Sequence, residues 1–103
     1  MQAWTLLLYS RQGCCLCQGL EQRMSELALD QLQPPLTLRV IDIDDRSTPA
    51  SVRERYDLQV PVLALAEPQQ NSSLELPRVS PRLAGEGLFL WLQRACTKVL
   101  ESD

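Results

Sequence analysis

Nearly unbroken apolar runs alternate along the chain with stretches in which apolar residues recur every three or four positions. Trp4-Thr5-Leu6-Leu7-Leu8-Tyr9 is short and apolar throughout, which predicts a strand buried on both faces. Ser10-Arg11-Gln12-Gly13 interrupts it with turn residues. From Cys14 to about Leu32, Cys17, Leu20, Met24, Leu27 and Ala28 fall on one helical stripe, with Gln, Glu and Arg on the other faces. Pro34-Pro35 ends that helix, because proline lacks the N–H and clashes with the preceding turn. Leu36 to Ile43 is a second strand, closed by Asp42-Ile43-Asp44-Asp45. Thr48 reads as an N-cap and Pro49 as the first residue of a helix carrying Val52 and Tyr56 to about Asp57. Arg53 and Arg55 are expected on its solvated face.

Val60 to Ala66 forms a third strand, followed by a polar turn from Glu67 to Ser72. Ser73-Leu74-Glu75-Leu76 alternates polar and apolar, the mark of a half-exposed edge strand. Ser80-Pro81 repeats the cap-plus-proline signal and opens a last helix to about Leu100, with Leu83, Leu88, Leu92, Ala95, Cys96 and Val99 on its apolar side. Gly85 and Gly87 weaken its first two turns by about 1 kcal/mol each relative to alanine. The order β-α-β-α-β-β-α predicts an α/β fold: a three-layer α/β/α sandwich around a four-stranded mixed sheet, strand order 2-1-3-4. The first two strands run parallel across a helical crossover and the last two form a hairpin.

At 103 residues the chain is long enough for one core, so residues 1–103 are expected to form a single domain. A hydrophobic content of 45% and a charged content of 22% lie near globular averages. The net charge of -3, without runs of one sign, gives no reason to expect nucleic acid or a membrane surface as partner. No apolar stretch approaches the ~18 residues of a membrane span. Met1-Gln2-Ala3-Trp4 carries no basic stretch before an apolar core, so no secretory signal is expected. The expectation is therefore a cytoplasmic protein, where structural disulfides are rare. Cys14, Cys15 and Cys17 lie within four positions and Cys96 stands apart, which points to catalysis or metal binding instead of a disulfide framework.

Cys14-Cys15-Leu16-Cys17 contains a C-x-x-C placed between a strand and a helix. At a helix N-terminus, unpaired N–H groups and the helix dipole favour an anion. A thiolate there can have its pKa lowered from ~8.5 into roughly the 3.5–7.5 range. Cys17, almost one turn later, can reach the first sulfur and close a small, labile disulfide. Zinc uses the same spacing but wants four Cys or His ligands. The chain has no histidine and three of its cysteines are crowded together, so no metal site is expected. Cys96 suits a core position. Val60-Pro61 opens the third strand, where proline is tolerated only because it is the first residue or because the bond is cis. With the C-x-x-C upstream, a cis bond packed against the dithiol is expected. It would hold the Val60 N–H and C=O outward for a substrate backbone to pair with. Arg78 and Arg82 flank the Ser80-Pro81 helix start and are candidates to hold an anion. Asp42, Asp44 and Asp45 are explained by a strand end and a helix cap, and Trp4 and Trp91 by packing.

Tyr9-Ser10-Arg11-Gln12-Gly13-Cys14-Cys15-Leu16-Cys17 resembles the glutaredoxin segment of strand, Thr/Ser, Lys/Arg, x, Gly, Cys-Pro-Tyr-Cys. Tyr56 to Pro61 resembles that family's approach to its cis-proline strand, and Val40-Ile41-Asp42-Ile43-Asp44 its second strand. The chain looks most like the small bacterial glutaredoxin-like proteins of unassigned function, well over residues 4–66 and in outline beyond. The resemblance implies a thioredoxin-like fold, with Cys14 as attacking thiolate and Cys17 as resolving thiol. It also implies that Arg11, beside the dithiol, favours the thiolate or binds a substrate carboxylate. Cys15 stands where glutaredoxins usually have proline, and Leu16 where many have tyrosine. Arg78-Val79-Ser80-Pro81-Arg82 replaces the Gly-Gly…Asp-Asp region that holds glutathione.

The function expected is a thiol–disulfide oxidoreductase acting on protein or low-molecular-weight disulfides. Cys14 and Cys17 are catalytic, Arg11, Val60 and Pro61 substrate-binding, and Cys15, Tyr9 and Arg82 accessory. No tightly bound cofactor is expected, with glutathione a candidate co-substrate. The partners implied are a disulfide-bearing protein or small thiol and a cellular reductant, glutathione or a reductase, acting on a monomer. Two alternatives use the same fold: a glutathione-assisted iron–sulfur cluster carrier using Cys14 with an external thiol, and a redox-inactive interaction module.

Overall fold

A computed structural model of the protein describes residues 3–69 and 72–101. Met1 and Gln2, and Gln70 and Asn71 of the expected polar turn, lie outside the described residues. The elements are β1 (Trp4–Ser10), α1 (Cys15–Ser25), a single 3₁₀ turn (Leu29–Gln31), β2 (Leu36–Asp42), α2 (Ala50–Tyr56), β3 (Val62–Ala66), β4 (Ser73–Glu75) and α3 (Gly85–Glu101). The sheet order is β2-β1-β3-β4, as the element pattern predicts. β1 runs parallel to β2, from Trp4 opposite Leu36 to Ser10 opposite Asp42. It runs antiparallel to β3, from Thr5 opposite Ala66 to Tyr9 opposite Val62. β3 and β4 are antiparallel.

The period of two in β1 divides its side chains between two cores. Leu6 and Leu8 face Leu20 and Met24 of α1, Leu88 and Leu92 of α3, and Leu63 and Leu65 of β3. Leu7 and Tyr9 face Ile43, Tyr56 of α2, Val62 and Ala64. Helices therefore cover both faces of the sheet, giving the thioredoxin-like three-layer sandwich. No described helix is long and apolar enough to cross a membrane.

Several boundaries differ from the sequence reading. α1 stops at Ser25, not Leu32. At 100° per residue a continued helix would carry Leu29 about 140° away from Met24. Breaking it into a 3₁₀ turn instead brings Leu29 and Leu32 into the core. α2 begins one residue later than expected because Pro49 is extended, and its carbonyl accepts the Val52 N–H (3.0 Å). Thr48 is not the N-cap; its hydroxyl donates to the Asp42 carbonyl (2.7 Å) and ties the end of β2 to the following loop. α3 begins at Gly85, not at Ser80-Pro81, because Gly85 has φ 56°, where an α-helix cannot be continued backward. β3 begins at Val62, leaving Val60-Pro61 outside the ladder. The sequence gives no sign that Gln33–Pro34 is cis as well. Gln93 of α3 brackets that corner, accepting the Gln33 N–H (3.1 Å) and donating to its carbonyl (3.0 Å).

Candidate active site

The C-terminal end of β1 delivers the chain to a four-residue turn in which the Cys14 N–H reaches the Arg11 carbonyl (3.4 Å). Gly13 takes φ 81° in that turn, which an L side chain adopts only under strain. Cys14 is then the N-cap of α1, with its Sγ accepting the Cys17 N–H (3.2 Å). Sulfur thus occupies the position a serine or aspartate oxygen takes in an ordinary N-cap. A backbone donor and the helix dipole both favour negative charge there. Cys14 and Cys17 are joined in a disulfide, with Cα atoms 5.2 Å apart. Cys14 is half-buried, while Cys17 is fully buried at 0% exposure on the stripe it shares with Leu20 and Met24. The two sulfurs therefore differ in access and in solvation, and solvation loss disfavours a thiolate at Cys17.

Arg11 sits close to the dithiol in the chain, but its guanidinium is committed elsewhere. Nε and Nη2 donate to the two carboxylate oxygens of Asp44 (3.0 and 2.9 Å). Nη1 donates to the carbonyl (2.7 Å) and carboxylate (3.0 Å) of Asp57. The arginine expected to favour the thiolate or bind a substrate carboxylate is engaged by two carboxylates and forms a clamp. It joins the dithiol turn, the β2–α2 loop and the end of α2 just before Val60-Pro61. Arg53, expected on a solvated face, joins the same cluster, donating to the Ile43 carbonyl (3.1 Å) with Asp44 at 3.8 Å.

The hydrogen bonds from Arg11 hold the Asp44 carboxyl below its ordinary value of 3.8. A carboxyl lowered on folding stabilises the fold above its unfolded value and loses that contribution as pH falls through the folded one. Arg11→Gln is thus expected to lower the urea midpoint at pH 7, by an amount that shrinks as pH is taken below 3.8. A midpoint difference that does not change between pH 7 and this acid range would contradict the clamp.

Val60–Pro61 is cis. The Val60 N–H, expected to face outward, donates to the Tyr56 carbonyl (3.2 Å) and closes the turn after α2. A substrate backbone therefore cannot take that donor while the turn is intact. Pro61 and Leu16 of the C-x-x-C line one groove with Arg23, Arg78, Val79 and Pro81. Arg82 does not flank a helix start, since α3 begins three residues later, and Arg78 donates instead to the Gln59 carbonyl (3.1 Å). Tyr9 is buried on the α2 face, its ring stacked on Tyr56 at 4.6 Å between centroids. The Tyr56 hydroxyl donates to Glu75 (3.0 Å), and burial pushes its phenol above the ordinary value. Tyr9 thus supports the floor under the α2 turn and does not face the dithiol groove.

Cys15 is exposed and free, and Cys96 is free and buried at 1% exposure, where desolvation pushes its thiol up to about 11. Among the described residues no three Cys, His, Asp or Glu side chains are grouped to hold a metal ion. The carboxylate partners of Arg11 and the position of Arg23 in the groove were not visible in the sequence pattern. Asp44 and Asp57 lie 33 and 46 positions from Arg11, and no periodicity links residues so far apart.

Among the solved structures that share this fold are three of low sequence identity. A thioredoxin from Thermus thermophilus is 15% identical, covering 93% of this chain and 75% of its own, with a TM-score of 0.62. A malarial protein is 14% identical, covering 91% and 98%, with a TM-score of 0.57. The N-terminal domain of SasA from Synechococcus elongatus is 23% identical, covering 100% and 88%, with a TM-score of 0.53. No match is found among curated proteins. The family model described as glutaredoxin-like domain (DUF836) matches residues 5–93. That span runs from β1 through the dithiol and Val60-Pro61 into α3, and the chain belongs to the glutaredoxin-like domain family.

Proposed function

We propose that the protein is a thiol–disulfide oxidoreductase that reduces protein or small-molecule disulfides with the Cys14–Cys17 pair. The observation that carries this reading is Cys14 Sγ at the α1 N-cap, accepting the Cys17 N–H while bonded to a fully buried Cys17. In the reduced protein the Cys14 thiolate attacks one sulfur of the substrate. A protein–substrate disulfide forms and the first substrate thiolate leaves. The Cys17 thiol gives up its proton and attacks Cys14 Sγ, forming the internal disulfide and releasing the second substrate thiolate. Two electrons pass from the dithiol to the substrate. A low-molecular-weight thiol such as glutathione, or a reductase, returns the pair to the dithiol in a reducing, cytoplasmic setting.

The test is alkylation of the reduced protein by iodoacetamide across pH, read site by site by mass spectrometry. Cys14 is expected to be modified first at pH ~6, where an ordinary thiol near ~8.5 is almost wholly protonated. Cys96 stays unmodified in the folded protein, because its thiol is buried and pushed up to about 11. Modification of Cys17 ahead of Cys14, or of both only near the ordinary thiol range, would overturn the assignment of attacker and resolver.

A further inference from the structure

The groove beside the dithiol carries charge that nothing in its own lining balances. It has a volume of about 170 Å³, with apolar walls from Leu16, Pro61, Val79 and Pro81 and two guanidinium groups, Arg23 and Arg78. Arg23 donates to the carbonyls of Gly19 (3.1 Å), Pro81 (2.8 Å) and Leu83. Arg78 donates to the Gln59 carbonyl. Carbonyl dipoles orient these groups but do not neutralise them. Neither has a carboxylate partner among the described residues, and no acidic residue lines the groove. Glu75, on the adjoining wall, is already engaged by the Tyr56 hydroxyl and by Arg55 at 3.6 Å. In a chain of net charge -3, two cations without a carboxylate partner among the described residues thus share one groove with Leu16 of the C-x-x-C and Pro61.

We infer that this groove selects polypeptide disulfides in which an apolar residue and a carboxylate flank the attacked cysteine. The apolar side chain rests against Leu16, Pro61 and Val79, and the carboxylate pairs with Arg78, which is the more exposed of the two arginines. The inference rests on the oxidoreductase reading and names the substrate class of the same site. Two observations favour a polypeptide over a free small disulfide. The groove is smaller than the roughly 300–1,000 Å³ typical of small-molecule pockets, so it suits one side chain. The groove wall also carries exposed apolar surface, since Leu16 is 53% exposed. A polypeptide covers such a residue, while a small polar disulfide leaves it in water.

The experiment compares two synthetic peptides, each closed by one internal disulfide and identical except for Glu or Gln beside the attacked cysteine. Pre-reduced protein, freed of reductant, is mixed with each, and formation of peptide dithiol and Cys14–Cys17 disulfide is followed in a single turnover. The Glu peptide is expected to react about three- to tenfold faster at low salt, the range for a partly exposed charge-assisted hydrogen bond. The ratio shrinks with added salt. It falls to about one in Arg78→Gln, inverts in Arg78→Glu and survives in Arg78→Lys. A ratio near one in the unmodified protein, or one untouched by Arg78→Gln, overturns the inference and leaves the oxidoreductase reading standing. Failure to reduce either peptide removes both. Glutathione disulfide reacting faster than the Glu peptide, with equal sensitivity to Arg78→Gln, would replace the polypeptide by a small anionic disulfide and overturn the assignment made here.

Discussion

Replacing Cys14 with serine is expected to bring disulfide reduction down to the rate without protein, and Cys17→Ser to stop the reaction halfway. The asymmetry follows from placement. Cys14 is the half-buried N-cap sulfur, with a backbone donor and the α1 dipole on it. Cys17 is sealed among apolar residues one turn later and meets only what Cys14 has already bonded. Cys17→Ser retains the attacker, so it should accumulate a stoichiometric mixed disulfide between Cys14 and substrate. Mass spectrometry of the quenched reaction reads this directly. Cys15→Ser should retain most of the activity, because neighbouring cysteines can bridge only through a strained eight-membered ring. A mixed disulfide on Cys15 or Cys17, or turnover surviving in Cys14→Ser, would contradict the roles.

Leu8→Ala is expected to destabilise the protein by about 2–5 kcal/mol, the cost of deleting a fully buried leucine and leaving a cavity. Leu8 has 0% exposure in β1, on the sheet face covered by both α1 and α3. It is paired on both sides, with Val40 of β2 and Leu63 of β3, which holds the backbone around the gap in place. Set against a total stability of about 5–15 kcal/mol, that loss is large enough to shift the urea midpoint strongly. Leu58→Ala is the control, with a change within about 0.5 kcal/mol because Leu58 is exposed. Equal midpoint shifts for the two variants would mean that β1 is not the centre of the core.

The sheet was legible because its signals are local and strong. β1 and β3 are nearly continuous apolar runs, and the proline-bounded crossover sets β2 beside β1. The dithiol was legible for the same reason: a C-x-x-C following a glycine turn at a strand–helix junction needs no long-range information. Helix starts were less legible. Ser80-Pro81 carries a cap signal, yet the backbone at Gly85 decides where α3 begins. Thr48 carries another, yet a hydrogen bond to Asp42 takes its hydroxyl. Arg11 shows the deeper limit. Its position in the chain points at the dithiol, and only the fold brings Asp44 and Asp57 close enough to claim it. The Val60 N–H was likewise taken by a carbonyl four residues back, a pairing set by the turn after α2.

A redox titration tests the central claim most directly. The protein is equilibrated in graded ratios of oxidised to reduced dithiothreitol, quenched with an alkylating agent under denaturing conditions and mapped by mass spectrometry. The prediction is one reversible two-electron transition in which two of the four cysteines become protected together, and peptide mapping places the bond between Cys14 and Cys17. A link between Cys14 and Cys15, a bond to Cys96, or four thiols that stay alkylatable across the whole range would contradict it.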